Sequence, residues 1–509
     1  MQLPAVDITA VYPEFIVALA ALAVLVADLL SKKELRGKLT AISIAGLAFA
    51  FFITLLMLIW DRKGTAFSGM VAVDPFAQFF KMIFVLSAAF SILMSPRYLR
   101  LFHINAAEYY ELILFSTVGM MVMVAANDLI TIYIGLELMS ISIYLMAGFQ
   151  RESPRSSEAS IKYFLLGSFA SAVLLYGMSF FYGITGTTNL MGIQRYLDFT
   201  QNMLNSRLIT LSLVLMTVGF GFKIAAVPFH MWTPDVYEGA PTPLTAFMSV
   251  GPKVAGFAVI LRVYMTTFDT LIPDWTVLFW VLSVLTMIVG NVVAVAQLNI
   301  KRMLAYSSIA HAGYLLIGVV AAGSATELAR TSSDPKLAAL MESLKPESMM
   351  SVLVYLFAYM FMNLGAFAIV ISLAKADNPC ESLSDYAGLG KRKPITALMM
   401  AILLLSLTGI PPTFGFIGKL YIFKAAILAN HWPLAIIGVL TSVVAAYYYI
   451  RVIVYMYMRE PEGALILEGD RASSTLYTAI AATVFTLLFG IVPGAIIGMA
   501  RYTIERMLA

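Results

Sequence analysis

Apolar runs about 20 residues long, the length that crosses about 30 Å of hydrocarbon, recur along nearly the whole chain. Their approximate limits are 13–30, 39–60, 76–94, 111–126, 128–148, 159–184 and 207–229 in the first half. In the second half they are 241–265, 275–297, 301–322, 350–374, 394–428, 432–457 and 475–498. The pattern predicts about 14 crossings. In lipid the backbone must satisfy its own hydrogen bonds, so such runs have to be helices. The expected fold is therefore an all-α polytopic membrane protein. Composition agrees. Only 12% of the residues are charged, against about 25% in an ordinary soluble domain. A chain of 509 residues this poor in charge cannot cover itself with a polar surface, so lipid replaces water around most of it.

The same composition excludes other classes. The net charge of +4 is spread out, with no basic stripe interleaved with aromatics, so no nucleic-acid partner is expected. Cys380 is the single cysteine, which rules out an internal disulfide and a Cys cluster. His103, His230, His311 and His431 are not within helical ligand spacing of one another, so no haem or zinc site is expected. The N-terminus lacks a basic segment ahead of its first apolar run, and positive charge follows it (SKKELRGK). That predicts a first crossing, rather than a cleaved leader, with the N-terminus outside. Lys and Arg concentrate in the alternate loops, among them Lys32, Lys33, Arg97, Arg100, Lys391, Arg392, Arg459 and Arg471. The bias places these loops inside and both termini outside. Residues 323–349 are expected to be the one sizeable outside loop, with mixed charge and some helical periodicity.

The twelfth run is too long for one straight helix and contains Gly409-Ile410-Pro411-Pro412, so it is expected to be broken. A short internal repeat supports this. Phe220-Gly221-Phe222-Lys223 lies in the seventh run, and Phe414-Gly415-Phe416, with Lys419 beyond, lies in the twelfth. Each is followed by a run ending in Arg-Val, at Arg262 and Arg451. The copies are five runs apart, an odd offset that reverses the second copy in the membrane. Inverted repeats of this kind in transporters place their sites near midplane on broken helices.

Ionisable groups deep in several runs are the main functional signal. Glu137 is central in the fifth, Lys223 lies in the seventh, Lys253 is central in the eighth, His311 is in the tenth and Lys419 is in the twelfth. Each costs roughly 2.5–3.5 kcal/mol at mid-bilayer on insertion scales. A structural role would be to pair helices, or to snorkel to the interface. Snorkelling suits Lys81, Lys162 and Lys424, which stand nearer to span ends. It does not suit Lys253, which is about 12 residues, or roughly 18 Å, from either end. Five such charges on separate spans, several beside helix breakers, point to proton handling. A buried lysine loses proton affinity and a nearby carboxylate restores it, so changing their separation binds or releases a proton. Other cations are disfavoured along a path lined by lysines. Glu158 and Lys162 stand at i and i+4, which is either a local bridge or a means for Lys162 to modulate the Glu137 region. His230, Trp232, Asp235 and Glu238, in a proline-stiffened loop, are expected to cap helix ends.

The stretch GFGFKIAAVPFHMWTPDVYEGAPTPLTAFMSVGPKVAGF, residues 219–257, resembles the antiporter-like membrane subunits of respiratory NADH:quinone oxidoreductase (complex I). Its HMWTPDVYEGAPTP continuation is similar to the N-type members in particular. NDLITIYIGLELMSISIYLMAGFQ (127–150), SSIAHAGY (307–314) and LTGIPPTFGFIGKLYIF (407–423) extend the likeness over nearly the whole chain. The resemblance implies two inverted five-helix repeats, at 111–265 and 275–457. They would be preceded by a three-helix segment (1–110) and followed by a C-terminal helix (458–509), with helices seven and twelve broken. It implies that Glu137 and Lys223 are a carboxylate–lysine pair, that Lys253 connects, that His311 belongs to a central hydrophilic axis and that Lys419 is the distal lysine. Lys419, where M-type members carry a glutamate, fits the N type, and so does the lack of a long lateral helix after residue 498. Ser307 stands near where a second-half counterpart of Glu137 would fall.

The implied function is proton translocation coupled to quinone reduction elsewhere in the complex. This chain would have no cofactor of its own. NADH, FMN, iron–sulfur clusters and quinone would belong to other subunits, with M, K and J as neighbours. The implied location is a bacterial inner membrane, with both termini periplasmic. Three alternatives stay open: a subunit of a multi-subunit cation/proton antiporter, a non-pumping scaffold, and a chloroplast or cyanobacterial relative using another electron donor.

Overall fold

A computed structural model describes residues 7–30, 36–200, 207–375, 379–460 and 473–508. Lys32, Lys33 and Arg471, which helped to set the expected sidedness, lie outside these. The described chain is almost wholly helical. The first part runs α1 (Tyr12–Leu30), α2 (Arg36–Ile59), β1 (Gly64–Ala66), β2 (Val71–Val73), α3 (Pro75–Leu101), α4 (Ala106–Ala125), α5 (Leu129–Ala147) and α6 (Pro154–Thr185). Then come α7 (Leu190–Phe199), α8 (Arg207–Lys223), α9 (Trp232–Gly239), α10 (Thr242–Arg262), α11 (Ile272–Val295), α12 (Ile300–Thr331) and α13 (Pro335–Leu373). The chain ends with α14 (Leu389–Arg392), α15 (Pro394–Thr408), α16 (Phe414–Leu428), α17 (Trp432–Met458), α18 (Ser474–Ile491) and α19 (Gly494–Leu508). β1 and β2 form one short antiparallel hairpin.

Among the described residues, 12 helices are long and apolar enough to cross a membrane. The difference from the expected number lies at the two broken runs. The seventh stops at Lys223 rather than continuing to 229, and the chain re-forms a short α9. The twelfth divides into α15 and α16, with Gly409 in the left-handed region (φ +93°) closing α15. The all-α polytopic fold and both breaks agree with the sequence.

Local chemistry sets the other ends. Asp74 accepts from the Ala77 amide at the start of α3, Asp128 from Ile130 at α5, and Asn299 from Arg302 at α12. Each satisfies a donor the first turn leaves free. Two expectations need correction. Residues 323–349 are not a loop. α12 continues to Thr331, Asp334 caps the next helix with Pro335 at its first turn, and α13 follows at once. The last crossing ends at Ile491 rather than 498, Val492-Pro493 interrupts it, and α19 follows.

Loop contacts group the helix ends onto two sides. At one end of α10, Arg262 pairs with Asp74, while Val71 bridges to Ala126 and Asp128 to Asn189. Arg62 meets Asp7, Arg506 meets Asp61 and Lys345 meets Asp269. At the other end Lys301 reaches the carbonyls of Glu238 and Ala240, and Asn299 bridges to Ser382. These pairs all join loops that the sequence places on one side.

α10, α12 and α13 form the centre, with the membrane windows of α10 and α13 wholly buried. α1, α2, α5, α6, α11 and α17 show large apolar side chains outward, including Phe49, Phe164, Phe169, Val292 and Val443, as lipid-facing helices should.

Candidate functional site

Lys223 is the last residue of α8, at the first break, and is 3% exposed. Its Nζ donates to Ser140 Oγ at 2.8 Å and to the Tyr144 hydroxyl at 3.4 Å, both on α5. Ser140 in turn donates to the Leu136 carbonyl. Glu137 lies one turn from Ser140 on the same helix face. It is half-buried, and its Oε1 is enclosed without a hydrogen-bond partner. Glu137 and Lys223 do not form an ion pair within 4 Å. Trp232 Nε1 donates to the Phe222 carbonyl, so α9 caps the broken end of α8.

From Lys223 the path meets α10. A Cβ on Gly256 would lie 2.7 Å from Ile224 Cγ2 and 3.7 Å from Lys223 Cβ. Gly256 thus lets the break approach α10 one turn from Lys253. Lys253, 2% exposed, donates to the carbonyl and the hydroxyl of Ser308 on α12. One turn further along α12 stands His311, also 2% exposed. Its Nδ1 is hydrogen-bonded to the Tyr355 hydroxyl and its Nε2 to that of Tyr449, at 3.2 Å. Tyr449 also bonds Ser307, so the two second-half residues singled out in the sequence meet on one hydroxyl. Tyr314 and Tyr359 pack against the imidazole, with centroids 5.7 and 5.1 Å away.

Lys419 closes the row. It is 4% exposed and lies 4.7 Å from the Tyr314 ring centre. Its Nζ donates to the Thr408 carbonyl at 2.8 Å and to Ser442 Oγ at 3.2 Å. Thr408 is the last residue of α15, so the lysine occupies a carbonyl freed by the break. Gly415 lets α16 cross there: a Cβ would fall 1.9 Å from the Ser406 carbonyl.

Lys223, Lys253, His311 and Lys419 are each held by hydroxyl or carbonyl oxygens, and successive members approach one another through Gly256, the turn from Ser308 to His311 and the Tyr314 ring. Among the described residues, none of the three lysines has a carboxylate within 4 Å. Neutral oxygens satisfy the ammonium, yet do not leave a buried anion behind when the proton departs.

Lys162 and Glu158 stand apart. Lys162 is 40% exposed by side chain, and pairs with Glu158 at 2.7 Å and with Asp235 at 2.8 Å. Arg302 joins Asp235 and Glu238 to this network, which ties α6 and α9 to α12. Its nearest approach to the row is indirect. Tyr163 packs on Tyr144, at 4.7 Å between centroids.

Lys81 departs from expectation. It does not snorkel. It is 1% exposed and pairs with Glu14 at 2.7 Å. Sequence reasoning also missed the tyrosines around His311. Tyr355 and Tyr359, four apart inside an apolar run, were the available signal.

Comparisons with known proteins agree with this geometry. The family described as NADH:quinone oxidoreductase/Mrp antiporter, TM, matches residues 126–331 and 337–445. The NADH-quinone oxidoreductase subunit N of Trichlorobacter lovleyi is 46% identical over 503 residues, covering 98% of this chain and 97% of the relative. A chain of respiratory complex I from Thermus thermophilus with bound aureothin is 30% identical, with a TM-score of 0.77, over 96% of this chain and 99% of that one. A chain of the Mrp complex of Dietzia sp. DQ12-45-1b shares the fold alone, at 19% identity and a TM-score of 0.81 over 99% of this chain and 100% of that one. The chain thus belongs to the NADH:quinone oxidoreductase/Mrp antiporter membrane family and, within it, to the NADH-quinone oxidoreductase subunit N proteins.

Proposed function

We propose that this chain is a proton-translocating membrane-arm subunit of NADH:quinone oxidoreductase. It moves protons along Glu137, Lys223, Lys253, His311 and Lys419, driven by quinone reduction in other subunits. One observation carries the reading: three lysines and a histidine, nearly fully buried on separate helices, are held by neutral hydroxyl and carbonyl oxygens rather than by counter-ions. A structural ion pair would leave each lysine matched to a carboxylate. Here the match is to groups that can pass or share a proton. Moving each proton against 100 mV costs about 2.3 kcal/mol, so the energy comes from the redox subunits, which hold NADH, FMN, iron–sulfur clusters and quinone. Lys162, with Glu158, acts through Asp235 and Arg302 as an inner-side modulator.

The domain reading has its own support. Arg262 Nε donates to the Val124 carbonyl at the end of α4, and Arg451 donates to the Val295 carbonyl at the end of α11. The loop bridges Asp128–Asn189 and Asn299–Ser382 correspond in the same way, at opposite ends of the bundle. Equivalent contacts on opposite sides suit two inverted halves, 111–265 and 275–457, between a segment at 1–110 and a C-terminal part at 458–509. Both termini lie on the periplasmic side of a bacterial inner membrane, and subunits M, K and J are the neighbours.

Lys223→Ala in the intact complex, reconstituted in liposomes, tests the function. The expected variant assembles and loses proton transfer. A variant that pumps normally, or whose only defect is failure to assemble, refutes the reading in favour of a scaffold.

A further inference from the structure

A second buried ionisable site lies outside the residues that the family comparison matches. Glu14 on α1 and Lys81 on α3 pair at 2.7 Å, with side chains only 6% and 1% exposed. Lys81 is about 10 Å along α3 from its first turn. A buried pair serves as a tie when further hydrogen bonds fill its remaining sites. Glu14 Oε1 faces the Lys81 ammonium, while Oε2 has no hydrogen-bond partner among the described residues. Gln78, fully buried, has partners on neither its amide nitrogen nor its amide oxygen.

Gln78 is four residues from Asp74 and three from Lys81, so the three share a face of α3. Asp74 is 17% exposed and holds Arg262 through both oxygens, at 2.8 and 3.0 Å. Gln78 thus lies along α3 between two charged pairs, Glu14 with Lys81 and Asp74 with Arg262. Buried polar groups are satisfied in about nine cases out of ten. Water, which makes about three hydrogen bonds in such sites, fits an amide with open donor and acceptor positions.

We propose that Glu14 and Lys81 are a second proton-binding site, hydrated through Gln78 and opening to the outer side at Asp74. The ligand class is water carrying an exchangeable proton. At rest the pair is ammonium and carboxylate. A proton from water beside Gln78 adds to the carboxylate, giving ammonium and carboxylic acid, so no buried anion is left. Return of that proton to water restores the pair. The inference rests on the proton-translocating reading above, and it adds a site in the N-terminal segment.

The test is the double variant Glu14→Gln/Lys81→Met in the complete complex, with assembly checked by subunit content. Protons moved per NADH oxidised are measured in liposomes. A clear fall in that ratio is expected, with Gln78→Leu falling likewise. An undiminished ratio in the assembled double variant overturns the proposal. If the double variant does not assemble, a water-resolving map of the wild-type complex decides. Water bonded to Gln78 and Glu14 supports the site, and direct protein partners on both overturn it. Loss of pumping in Lys223→Ala with a full ratio in the double variant sinks this inference alone. Full pumping in both sinks the underlying reading.

Discussion

A lysine in hydrocarbon has three donors to satisfy, and here Lys223, Lys253 and Lys419 each have two met by oxygens of serine, tyrosine or threonine. Ser140 is the clearest case, because it accepts from Lys223 one turn away from Glu137 on α5. A hydrogen bond to a charged group contributes about 1.5–3 kcal/mol. Ser140→Ala should therefore slow proton transfer about tenfold or more while the complex still assembles. Ser142→Ala is the matched control, since that hydroxyl only back-bonds to the Leu138 carbonyl. Equal rates in liposomes for the two variants would exclude Ser140 from the path. The residue identities Glu137, Lys223, Lys253, His311 and Lys419 were legible in the sequence, because charge inside an apolar run is conspicuous. Their hydroxyl partners were not. Serine and tyrosine are common in such runs, and only packing shows which of them turn toward a lysine.

At the scale of elements, two arginine clamps differ in depth. Arg262 joins the end of α10 to the start of α3, with both partners largely buried. Arg302 joins α12 to α9 with side chains about one-third exposed. Breaking a buried pair by removing one partner costs about 3–5 kcal/mol, because the other charge is stranded. An exposed pair contributes about 0–1 kcal/mol. Arg262→Met should therefore lower the unfolding temperature of the purified complex markedly, and Arg302→Met only slightly. The reverse order in a thermal melt would contradict this account. Elements were largely legible, including both broken helices, because Pro, Gly and run length act locally. The helical periodicity of 323–349 was visible, but not that α12 and α13 run through it with only a short break, since its mixed charge reads equally as loop or as helix beyond the membrane.

On the scale of the molecule, sidedness follows from how the loops pair. The loop pairs sort the helix ends into two sets, and the lysine and arginine bias assigns one of them to the outside. Single cysteines at Lys63 and Lys391 should react with an impermeant thiol reagent from opposite faces, Lys63 from the periplasm. Native Cys380 is buried and should stay silent. Labelling of both positions from one face would reject the topology.

The amino-acid order alone determined that this chain lives in lipid, that its seventh and twelfth runs break, and that Lys223, Lys253, His311 and Lys419 lie deep. Those follow from the length of apolar runs and from backbone chemistry at Asp, Gly and Pro. Tertiary structure decided what each deep charge touches. It turned Lys81 inward to Glu14, sent Lys162 to Asp235, and set His311 among tyrosines from α13 and α17. The reason is physical: a side chain's partner depends on helix rotation and crossing between distant segments, which period and composition do not encode.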